Sequence, residues 1–512
     1  MIDGAVFLQP NSGRPATFCK RSKRGSFTYN PVIYPDHIEP LVLFVEETSP
    51  DQIVAETYIK LRSGTSVKDM LLASALAAMR SSDLPPGHHG GPLHPISGLH
   101  AIHNISERLT GEVALIPVVQ NVALSNKHIH SPSMGPYILS EAEPMSENES
   151  VEDTLEAMPY YLQRGAYHQL DSYYLFFLEK MEPMEVLDHL LQVAVLKNAA
   201  DDHHFLFPVF TWRALEYFGW EYAKYLIRPA VRYVTRPPGA KQIPAIDDLI
   251  EEHGLLTRVL RYKTDEGETE AVTALADTIA TSDAFDQTPA IIAKALADGL
   301  SLEGTVEGLS VGGSALFLRS QTGNPMDVHI NTGINIRRYL LSQPALSMQT
   351  KLRALLTWNG GPEVKSAQYK LSPVRQPEPE KVAALPDRTQ EQLIGDMEAL
   401  IGSLPIGERL PSIPIATWVA SEEVKQSAAM AQQYADKGYD ANALIEMLAK
   451  IACRDSFTEM HAYKHNQATY EEFYATRPEL RWIHLVSAVQ AAAISHGRMQ
   501  EVYEDAAEVI HF

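Results

Sequence analysis

The sequence predicts a mainly α-helical protein, built from four degenerate three-helix repeats that form a helical bundle or a closed, pseudo-symmetric array. A short β-rich segment precedes them. Three observations predict this class. Apolar residues recur at three- and four-residue spacing along most of the chain. A pattern of helix, loop, His-headed helix and third helix returns along the sequence. Hydrophobic residues make up 45% and charged residues 21%, a balance that lets 512 residues bury a substantial core.

Residues 1–45 read as strands and turns, because "AVFLQP" and "SFTYNPVIYP" are β-prone and interrupted by Pro, Asn and Gly. Residues 46–500 read as the helical repeat domain. "VKDMLLASALAAM" (67–79), "MEVLDHLLQVAVLK" (184–197) and "NALIEMLAKIA" (442–452) each carry one apolar face. The stretch 359–395 is rich in proline and charge and reads as an extended linker.

The copies span about 60–135, 180–240, 295–358 and 435–500. In the first, Gly64 opens "GTSVKDMLLASALAAM" and His94 opens "LHPISGLHAI" 30 residues later. In the third, Gly299 and His329 repeat that interval of 30. In the fourth, Gly438 leads to His465 after 27 residues. The second copy has Phe207 at the aligned position, with His203 and His204 just before it. Pro117, Pro229 and Pro344 mark the third helix in three copies, and His484 takes that place in the fourth. A closed arrangement of such copies aims the second-helix starts at one centre.

That centre is the candidate site. Neutral imidazole is a common ligand of first-row transition metals, and His94, His329 and His465 supply one from each of three copies. His461 and His465 form an i, i+4 pair on one helix face. His89, His128 or His461 completes the ligand set, and Tyr463 and Lys464 are candidate proton donors or acceptors. The cofactor expected is a transition metal, iron first, with manganese, copper or zinc as alternatives. "HAYKH" lacks the Glu of the HExxH zinc-protease signature. No P-loop, dinucleotide fingerprint or nucleophile elbow is present.

A net charge of −21 argues against nucleic acid as a partner. Two cysteines exclude a disulfide framework and a Cys-based zinc site. With neither a signal-peptide pattern nor an apolar run of membrane-spanning length, a cytoplasmic location without membrane association is expected.

The order "LHPISGLHAIHNI" then "LIPVVQNVALSNKH", together with "VHINTGINIRRYLLSQPALSMQTKL", resembles the questin oxidase-like family. The resemblance implies a largely helical oxygenase that uses O2 on polycyclic aromatic ketones, with non-haem iron held by histidines. By position, His94 matches the family's His-Pro motif, His329 a second such turn without the Pro, and His128 a later His. The function expected is therefore a metal-dependent oxidoreductase acting on an apolar aromatic small molecule. A non-catalytic helical scaffold and a metal-dependent hydrolase using the same histidines are the alternatives. The sequence does not give the oligomeric state.

Overall fold

A computed structural model describes residues 31–81, 93–131, 139–143, 145–146, 148–197, 203–236, 245–282, 287–319, 328–358, 371–404, 422–454, 460–495 and 501–510. Among these residues the protein is mainly helical and has no strand. The helices fall into successive groups along the chain. The first holds α1 (Glu39–Glu47), α2 (Ile53–Arg62), α3 (Val67–Arg80), α4 (Leu93–Arg108) and α5 (Ile116–Ile129). The second holds α6 (Val151–Arg164), α7 (Tyr167–Lys180), α8 (Pro183–Ala194), α9 (His203–Phe218) and α10 (Ala223–Val234).

After α11 (Ile246–Glu252) come α12 (Thr269–Thr281), α13 (Thr288–Ala297), α14 (Leu302–Phe317), α15 (His329–Ser342) and α16 (Met348–Leu356). Short α17 (Pro379–Ala383) leads to α18 (Gln390–Ser403), α19 (Glu422–Asp436), α20 (Ala441–Ala452), α21 (His461–Ala475) and α22 (Trp482–Ser495). Helix α23 (Glu501–Ile510) packs on α2 and α5.

Helices α3, α14 and α20 start at Ser66, Ser301 and Asp440, whose side chains accept from the backbone of Asp69, Gly304 and Asn442. Two residues earlier stand Gly64, Gly299 and Gly438, with φ of 108°, 108° and 63°. Each closes the preceding helix with the same pair of bonds. Gly64 N–H donates to Leu61 and Thr65 to Lys60; Gly299 to Leu296 and Leu300 to Ala295; Gly438 to Ala435 and Tyr439 to Tyr434. Glycine is required because its φ is left-handed there.

Packing follows one scheme. Helices α2, α7, α13 and α19 lie against α5, α10, α16 and α22 in turn. Helix α4 packs against both α9 and α21, and α15 packs against the same two. Those four helices therefore close a ring. Their first residues meet at one point and their later residues meet again, so all four run parallel. Two apolar cores flank the ring. One is centred on α1–α10 and reaches Ile336, Ala449 and Met460; the other is centred on α11–α22.

Several expectations change. Residues 1–30, most of the expected β-rich segment, lie outside the described residues. In its described part, residues 31–45, the β character is an isolated bridge, Pro31 to Ser140, and α1 already starts at Glu39. The linker 359–395 contains α17 and the start of α18, which Thr389 and Gln392 fix with reciprocal capping bonds. Pro117 is the second residue of α5, but Pro229 lies inside α10 and Pro344 in the turn before α16. No helix among the described residues is long and apolar enough to cross a membrane.

Candidate metal centre

Each ring helix brings a histidine to its first turn: His94 on α4, His203 on α9, His329 on α15 and His461 on α21. The ligand atoms of His94, His203 and His461 all lie within 4.8 Å of one another. His329 adjoins them, with its Nε2 2.9 Å from Nε2 of His461 and its ring 5.1 Å from that of His203. Three imidazole nitrogens bound to one ion at ~2.1 Å stand roughly 3–3.5 Å apart. The His329–His461 pair is close to that spacing, and the ligand atoms of His94, His203 and His461 are within 4.8 Å of one another.

Burial keeps the His461 imidazole neutral. It pushes the His461 pKa well below the ordinary histidine value, and Lys464, His329, His94 and His203 push it further down. The neutral ring keeps a lone pair for a metal. Four helix N-termini also direct their positive ends at the same point, which disfavours imidazolium there.

Local backbone features hold the group in place. Met460, immediately before His461, has φ of 68°, a left-handed conformation that is costly for a side chain of its size. Gly98 of α4 permits the close approach, since a Cβ there would lie 2.9 Å from Met460 Cβ. Phe207 stacks on His203 at 4.7 Å and meets His94 edge-on at 5.3 Å; Tyr233 closes on Phe207 at 4.8 Å. One side of the histidine cluster is therefore an aromatic wall.

Further along the ring a polar layer joins the same four helices. Glu471 of α21 accepts from Asn335 of α15 at 2.9 Å and from Arg213 of α9 at 3.0 Å, and it contacts His100 Nε2 of α4 at 2.8 Å. Burial pushes the Glu471 carboxyl up, but Arg213, His100 and Gln467 together hold it well below the usual carboxylate range.

The structure brings together His94, His329 and His461 and adds His203. His465 is one turn beyond His461, with its ring 6.5 Å from that of Phe317 and outside the cluster. The 27-residue interval that pointed to it includes a loop, and loop length does not fix which turn of α21 faces the ring axis. His128 sits in the last turn of α5, near Asn126, which bonds the Val45 and Thr48 carbonyls at the end of α1. It does not join the cluster either. His89 lies outside the described residues. His103 stacks on Tyr217 at 3.8 Å on the outer side of α4.

Tyr463 donates to Gln120 Oε1 at 2.6 Å, which ties α21 to α5. Lys464 is buried, with its Nζ 5.8 Å from the centre of the Phe210 ring. The repeat pattern does not single out His203, because Phe207 occupies the aligned position. Its visible signal was a His at a helix start, the feature His461 and His329 share. Compared with known proteins, the chain matches no family model, no curated protein and no solved structure.

Proposed function

We propose that this protein binds one transition-metal ion, iron first, through His94, His203, His329 and His461, and uses it to oxidise an apolar, aromatic small molecule with O2. The observation that carries this reading is the meeting of four imidazoles, three of them buried and that of His203 half-buried, one from the start of each ring helix. On this reading the ring is the centre of four related copies, and the parallel starts of α4, α9, α15 and α21 are its axis.

Iron held by neutral histidines with an open position supplies one-electron chemistry with O2. The chain's own residues supply the rest. Phe207 and Tyr233, packed edge to face, offer an apolar aromatic wall for a polycyclic ring. Lys464 is assigned as the proton carrier, since the Tyr463 hydroxyl is directed at Gln120.

A hydrolase would use the same ligands but needs a general base beside them, and among the described residues no carboxylate joins the ligand group. A passive scaffold would leave capping histidines near the surface, whereas His94, His329 and His461 are buried.

The test is metal analysis of full-length protein purified without a histidine tag and reconstituted anaerobically with ferrous iron. The expected result is close to one ion per chain; less than about 0.1 counts decisively against the reading. Oxygen uptake with quinones and polycyclic ketones then separates oxygenase from hydrolase.

A further inference from the structure

A second group of buried polar side chains lies behind the histidine cluster and takes no part in it. On α21, His465 and Thr469 stand one turn apart on the same face. On α22, Ser487 and Gln490 are completely buried. On α15, Asn331 is buried two residues after His329. His465 Nε2, Thr469 Oγ1, Ser487 Oγ, Asn331 Oδ1 and both amide atoms of Gln490 have no hydrogen-bond partner among the described residues.

Helix α14 brings these side chains to one region. Its Ser314 accepts from Asn331 Nδ2 at 3.0 Å and bonds His484 Nδ1 of α22 at 2.9 Å, and its Phe317 faces the His465 ring. Ser487 and Gln490 follow His484 at successive three-residue steps along α22. Each helix involved, α14, α15, α21 and α22, packs against at least two of the others.

A comparable position elsewhere in the ring is filled. Two residues after His461 stands Tyr463, and three after Pro117 stands Gln120; they bond each other at 2.6 Å, and Gln120 also donates to the Cys453 carbonyl. Two residues after His329 stands Asn331, and three after His484 stands Ser487. This pair is shorter by most of a phenol ring and part of an amide chain. The atoms that Tyr463 and Gln120 supply at one seam are missing at the other.

Each buried polar atom left without a partner is costly, and native proteins keep few of them. Six in one region mark a position where something else supplies the bonds. We infer that Asn331, His465, Thr469, Ser487 and Gln490 line a closed polar chamber that holds a neutral guest able to both donate and accept hydrogen bonds. Neutrality follows from the surroundings. The charged groups of the same seam are already matched, Glu472 with Arg338 at 2.7 Å and Glu307 with Arg477 at 2.9 Å. A charged guest would be buried without a counter-ion. Water meets the requirement, as does a small alcohol or amide.

This inference does not depend on a metal being bound. Its test is the melting temperature of the full-length protein and of two near-isosteric variants, Gln490→Met and Thr469→Val. A chamber with a guest loses bonds, and both variants melt lower by about 1–3 °C. A chamber without one is relieved of orphaned groups, so an unchanged or raised melting temperature in both overturns the inference. A high-resolution crystal structure gives the second measurement. Density within hydrogen-bond reach of Gln490 and His465 supports the chamber, and clear density for the side chains with nothing between them overturns it. Mass spectrometry of a denatured extract then distinguishes the guests: a co-purified small neutral molecule identifies an organic one, and its absence beside visible density identifies water.

Discussion

Nε2 of His461 and Nε2 of His329 lie 2.9 Å apart, although 132 residues separate them along the chain. Two neutral imidazoles at that distance either share one proton or turn both lone pairs to a common ion. The second arrangement predicts that each of His94→Ala, His203→Ala, His329→Ala and His461→Ala lowers metal content at least about tenfold, as loss of a ligand does. His465→Ala keeps its metal. Metal analysis of the five purified variants checks this, and full metal retention in His203→Ala or His329→Ala would sink the four-histidine site.

The difference between His461 and His465 also shows what the sequence could and could not reveal. The periodicity of 67–79, 184–197 and 442–452 located α3, α8 and α20 to within a few residues, because an amphipathic face is a local property. Gly64, Gly299 and Gly438 were visible for the same reason: left-handed φ has a residue signature. Which of two histidines on α21 faces the ring axis depends on the α4 and α15 neighbours, which spacing along one chain does not encode. His203 was hidden by a substitution pattern, since Phe207 is apolar and buried in the wall beside it. The polar layer joining His100, Arg213, Asn335 and Glu471 spans four distant segments and had no sequence signature.

Gly98→Ala tests how tightly α4 and α21 are held together. A helical Gly→Ala change ordinarily stabilises by about 1 kcal/mol. Here the new Cβ meets Met460 Cβ at 2.9 Å and Ile102 Cδ1 at 3.2 Å. Met460 is fixed by its left-handed backbone and cannot easily withdraw, so overpacking wins and the net loss is about 1–2 kcal/mol. Met460→Gly removes both the strain and the clashing side chain, and in the double variant it restores the stability lost. Chemical denaturation of the two single variants and the double variant measures the coupling. Strict additivity would mean that the two residues do not press on each other.

Glu471→Ala should loosen the ring at its polar layer. It leaves Arg213, whose side chain is 8% exposed, without its carboxylate, and it removes the acceptor shared by His100 and Asn335. Glu471 itself is 25% exposed, so water offsets part of the loss, and the expected cost is about 2–3 kcal/mol rather than the full cost of breaking a buried pair. Glu471→Gln retains an acceptor and costs less. Urea melts of both variants give the comparison; equal stability of Glu471→Ala and the parent protein would show the layer to be energetically idle.

Acid should destabilise the protein through buried histidines that lie outside the candidate centre. Burial lowers His465 to about 4, and burial, opposed by Glu472 and reinforced by Arg338, lowers His484 to about 4. The unfolded chain protonates near the ordinary histidine value of about 6.5. Between those values the unfolded state binds protons that the folded state does not, so stability falls as pH falls. The loss begins near pH 6.5 and levels off below about 4, and each group accounts for about 3 kcal/mol across that window. Above pH 7 both histidines are neutral in either state and contribute no slope. His484 also bonds Ser314 and Thr476, so His484→Gln keeps a polar group in place while removing the titration. Its melting temperature, followed from pH 7.5 to 4, should fall less steeply than that of the parent protein. Parallel curves for the two proteins would show that His484 is not held neutral by the fold.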